Sequence, residues 1–95
     1  MKIFTIEYVI LSYINGQKKQ AINCLKGVRL KGKNFGRDIV DASQMYGLKD
    51  TVQILHRLGV KDLYIENAFY DYDSMHFDEV RDLINKLNLQ EMYEE

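Results

Sequence analysis

The chain has 95 residues, 46% of them hydrophobic and 28% charged, which fits one small globular unit (residues 1–95) and excludes a disordered chain or a low-complexity tract. A chain of this size buries only about 60–65% of the surface its unfolded form exposes, so one modest core is the limit. The net charge of −1 hides a division: residues 1–37 carry eight basic side chains against the single acid Glu7, whereas residues 38–95 carry five bases against thirteen acids. Such asymmetry points to a basic face for an anionic partner, an acidic face for a cationic one, or two faces that meet between subunits.

Residues 3–14 are rich in Ile, Val, Phe and Tyr, yet Ile6, Val9, Ile10, Tyr13 and Ile14 recur at the spacing of one buried helical face. Thr5 is a good N-cap, and Glu7 lies where the helix dipole favours an acid. Glu7 also interrupts the apolar run, which is shorter than the roughly 20 residues a membrane span needs. With Cys24 alone and no cleavage-site pattern, the expected location is the reducing cytoplasm, away from membranes.

Asn15-Gly16 either closes a β-hairpin or ends a helix, since both use positive φ. Ala21, Ile22, Leu25 and Val28 follow at helical intervals, which predicts a helical hairpin with Lys18, Lys19 and Lys26 toward solvent. This helix-Asn-Gly-helix opening with a basic second helix resembles small proteins of phages and mobile elements, a resemblance that implies no site.

The stretch from Lys26 to Arg37 holds three glycines, five bases and no acid. Gly27 to Asn34 nearly spells the phosphate-binding G-x-x-x-x-G-K-[ST], but Asn34 replaces the hydroxyl and no hydrophobic strand precedes it. Arg29, Lys31, Lys33 and Arg37, with Lys18, Lys19 and the aromatic Phe35, instead compose a looser candidate for nucleic acid or phosphate ligands. Bases supply salt-sensitive backbone affinity there, and a ring can stack on a nucleobase.

Farther on, Ile39, Ala42, Ser43 and Tyr46 form a stripe that Gly47 is placed to end. Asp50-Thr51-Val52-Gln53 has the pattern of a capping box for a helix with Val52, Leu55 and Leu58 inward and Gly59 at its end. Asp62 to Glu66 alternates polar and apolar residues, which suggests a short strand paired with Gly27–Leu30. Asp73 or Ser74 then caps a last helix whose inward stripe is Phe77, Val80, Leu83, Ile84 and Leu87. The expected fold is therefore mainly α: four to five short helices, comprising an N-terminal helical hairpin, a central pair and a C-terminal helix, beside a short two-stranded β element. The alternative is α+β with an N-terminal β-hairpin.

The two histidines, His56 and His76, stand in no metal or catalytic spacing, and Asp71, Asp73, Asp78 and Glu79 lack the glycine of a Ca²⁺ loop. Cys24 reads as a small core residue. No metal, cofactor or catalytic residue is expected. What stands out is a cluster of rings and acids: Tyr64, Phe69, Tyr70 and Tyr72 as contact anchors, with Asp71 and Asp73 to steer a basic partner. The resulting expectation is a non-enzymatic regulatory or interaction protein that binds a macromolecular partner or itself as a homo-oligomer. Nucleic-acid binding through residues 18–37 is the alternative.

Overall fold

A computed structural model of the chain describes residues 5–28 and 35–93. Among these residues the chain is all helix: α1 Ile6–Ile14, α2 Lys18–Gly27, α3 Phe35–Tyr46, α4 Leu48–Arg57, α5 Asp62–Tyr72, a 3-10 turn Ser74–His76, and α6 Phe77–Tyr93. No strand occurs there, so neither the two-stranded element nor the N-terminal β-hairpin is present among the described residues.

The N-terminal hairpin forms as its local signals dictate. The Thr5 hydroxyl accepts the Tyr8 amide at 3.3 Å and so caps α1. At the other end Gly16 adopts φ 81°, and its N–H and that of Gln17 bond back to the carbonyls of Tyr13 and Ser12 at 3.0 and 2.9 Å. This pair of bonds satisfies carbonyls that a helix end would otherwise leave bare, and a side chain at Gly16 would strain the φ it needs. The chain reverses within three residues, and Gln20 Nε2 donates to the Tyr8 hydroxyl at 2.7 Å across the hairpin.

The α3–α4 junction differs from the expected capping box. Gly47, at φ 98°, is the one residue between the two helices, and α4 starts at Leu48, two residues before Asp50. Thr51 is consequently carried inside, where its hydroxyl donates to the Ala42 carbonyl at 3.2 Å. The far end of α4 follows expectation: Val60 N–H reaches the Leu55 carbonyl at 3.0 Å, and both side chains are buried.

The segment Asp62–Glu66 is the first turn and a half of α5, not a strand. Extending the window explains why: Ile65, Ala68 and Phe69 all point inward at helical spacing, and alternation over five residues is too short to outweigh them.

Buried residues from every α-helix join one cluster, with Ile6, Val9, Ile10, Ile39, Val52, Leu55, Ile65, Phe69, Val80 and Ile84 almost wholly enclosed. Each such side chain contributes about 1.5–3 kcal/mol by leaving water. Helix α3 occupies the middle, packing on α1, α4 and α5; α6 closes the other side against α4 and α5; α2 packs on α1 alone. Among the described residues the α1–α2 hairpin, with the bases of α2, makes no contact with the acidic α5–α6 pair; α3 and α4 link the two.

Candidate interaction surface

Helix α5 turns Ile65, Ala68 and Phe69 to the core, which leaves Leu63, Asn67 and Tyr70, at i, i+4 and i+7, along its outer stripe. The chain leaves α5 when the Asp73 N–H bonds the Phe69 carbonyl at 2.8 Å, makes one 3-10 turn, and enters α6 at Phe77. That sharp connection pushes side chains outward. Tyr70 is 64% exposed, Met75 89% exposed, and Tyr72 half exposed.

Contacts within the corner hold these groups in place. Tyr70 meets Phe77 edge-to-face with ring centroids 5.4 Å apart, and the Arg81 guanidinium lies 5.6 Å over the same Phe77 ring. Asp73 does not cap α6 with its carboxylate; the carboxylate instead accepts from His76 Nδ1 at 2.7 Å, while its carbonyl takes the His76 N–H at 3.1 Å. Asp71, Asp78, Glu79 and Asp82 are exposed around the rings. Beside them lies a shallow depression lined by Ser43, Gln44, Leu48, Asp73 and His76.

The six residues expected to form an interaction site therefore separate. Tyr70, Asp71, Tyr72 and Asp73 share this corner. Phe69 is fully buried and belongs to the core; Tyr64 is half-buried nearly two turns away, with the Lys61 ammonium 5.9 Å from its ring. Met75 and Arg81 join the corner without having stood out in the sequence.

The basic candidates separate too. Lys18 and Lys19 are exposed at the start of α2, and Arg37 is exposed in the first turn of α3. Phe35, proposed to stack on a base, is buried as the first core residue of α3. Helices α2 and α3 do not pack together, and Arg29, Lys31 and Lys33 lie outside the described residues, as does most of the glycine-rich near-motif.

One charge property bears on any binding role. Among the described residues no lysine or arginine lies within 4.0 Å of a carboxylate; all three close ion pairs there use histidine. Among the described residues Asp71, Asp78, Glu79 and Asp82 at the corner, and the lysines of α2, have no ion-pair partner.

A polar cluster elsewhere gave no sequence signal. His56, almost enclosed at the end of α4, directs Nδ1 to Asp62 at 2.8 Å and Nε2 to Glu91 at 2.9 Å; Asn88 donates to the second Asp62 oxygen at 3.1 Å. Both ring nitrogens face carboxylate acceptors, so the cluster ties α4, α5 and α6 together. Its two carboxylates lie 6 and 35 residues from His56, beyond any motif spacing.

No helix among the described residues is long and apolar enough to cross a membrane, and no group of His, Cys, Asp and Glu there has the arrangement to hold a metal. No protein-family model, curated protein or solved structure matches the chain.

Proposed function

We propose that this is a non-enzymatic, cytoplasmic interaction protein that binds a basic macromolecular partner through the corner between α5 and α6. The observation that carries the reading is the exposed set Tyr70, Tyr72 and Met75, set on a tight turn and ringed by acids that have no lysine or arginine within 4.0 Å among the described residues. Tyrosine and methionine bring large contact area, and tyrosine loses little rotamer freedom when it is covered. Surrounding carboxylates raise the rate of encounter with a cationic surface and reject anionic ones. Regulation would follow from occupancy: a bound partner has its own contact surface covered.

Nucleic-acid binding through Lys18, Lys19 and Arg37 is the second reading. Its support is the charge of those side chains, which have no ion-pair partner among the described residues, and Phe35, being buried, is not available as a stacking ring.

Immobilised protein should capture partner proteins from a nuclease-treated lysate, and Tyr70→Ser with Met75→Ser should abolish that capture. Capture that depends on nucleic acid, and that disappears with Lys18→Ala and Lys19→Ala instead, would replace this reading with the second.

A further inference from the structure

We infer that the occupant of the corner is the tip of the α1–α2 hairpin of a second copy of this chain. The inference rests on the corner being a binding surface, and it names the partner.

The tip has the properties the corner lacks. Leu11 and Ile14, 41% and 52% exposed, stand one turn apart on the outer side of α1. Immediately after the turn come Lys18 and Lys19, both exposed, in a helix that carries three bases and no acid. An apolar pair beside two ammonium groups is the chemical complement of Tyr70, Tyr72 and Met75 beside Asp71, Asp78, Glu79 and Asp82. Arg81 is the one guanidinium within that acidic rim, and it is drawn over the Phe77 ring; His76 is drawn to Asp73.

The two surfaces cannot satisfy each other within one molecule. Helix α2 touches only α1, and neither α1 nor α2 contacts α5, the 3-10 turn or α6 among the described residues. A contact between tip and corner therefore joins different copies and joins unlike surfaces. Such a heterologous contact leaves one free tip and one free corner on every dimer, so growth continues until a ring closes or a chain extends.

Charge reversal at either end supplies the test. One variant carries Lys18→Glu and Lys19→Glu, so that both of its surfaces are acidic; the other carries Asp71→Lys, Asp78→Lys and Asp82→Lys, which leaves Glu79 as the one acid of the exposed rim, so that both are basic. Sedimentation velocity at low salt should show wild-type protein growing past dimer with concentration and receding when salt is added. Each variant alone should associate at least about tenfold more weakly, because like charges face each other. An equimolar mixture should recover association, since each surface then meets its opposite, and that recovery also shows that both variants are folded.

Wild-type protein that stays monomeric at low salt, or a mixture no larger than its components, overturns the inference. If partner capture is still lost with Tyr70→Ser and Met75→Ser, only the second copy is excluded as occupant. If capture survives those substitutions as well, the corner itself is excluded.

Discussion

Asp62 stands 2.8 Å from His56 Nδ1, so the first residue of α5 is fastened to the last turn of α4, and Glu91 on the other ring nitrogen brings in α6. His56→Ala should lower stability by about 1.5–3 kcal/mol, the range for hydrogen bonds to charged groups, here the carboxylates. Asp62→Asn should cost more than Glu91→Gln, because Glu91 is largely exposed and Asp62 also holds Asn88. Amide hydrogen exchange should accelerate over residues 88–93 and not over the start of α6; uniform acceleration, or none, would show that the cluster does not hold the helix end.

The close approach of α3 to α5 sets the corner's geometry. A Cβ on Gly36 would sit 3.0 Å from the Tyr72 ring and 3.3 Å from the Ala68 Cα. Gly36→Val should therefore lower stability by about 1–3 kcal/mol through overpacking. Gly36→Ala also gains up to about 1 kcal/mol of helix propensity, so the contact and the propensity nearly cancel. In a Tyr72→Ala background the ring contact is gone and Gly36→Ala should become less costly; chemical denaturation of the four proteins in this cycle measures the coupling directly.

Asp38 gives a pH signature. Partial burial raises its carboxyl above the ordinary 3.8, the charge of Asp41 adds to that, and Arg37 opposes it. A carboxyl with a raised folded pKa binds its proton more tightly in the native state, so its charge costs stability as pH rises through that pKa. Replacing it by Asn removes the cost. The stability of Asp38→Asn relative to wild type should therefore climb between about pH 3 and pH 6 and then level off. A difference that stays flat across this range would show that Asp38 is as well solvated folded as unfolded.

Much of the fold was legible because its helices carry long stripes. Ile39 to Tyr46 and Val80 to Leu87 each repeat over two turns, a spacing that favours a helix; Ile6 to Ile14 repeats likewise, but its β-rich composition and the Asn15-Gly16 turn leave a β-hairpin open. Asp62 to Glu66 does not, since Leu63 and Ile65 suit either period until Ala68 and Phe69 are included. The basic neighbours of Phe35 suggest a binding ring, yet its place one turn before Ile39 makes it core. The corner was half legible: composition shows where rings and acids gather, but which ring turns outward depends on helix phase, and that separates Phe69 from Tyr70. His56 was illegible, because one of its two carboxylates is 35 residues away.

The account turns on whether the corner is where binding occurs. Amide-resolved NMR of the labelled protein, followed as its own concentration rises or as a captured partner is added, measures this most directly. The prediction is a contiguous set of perturbed amides centred on Tyr70, Met75 and Asp78, joined by Ile14 to Lys19 when the occupant is a second copy. Perturbations confined to other surfaces, with Tyr70 to Asp82 unmoved while binding proceeds, would contradict it.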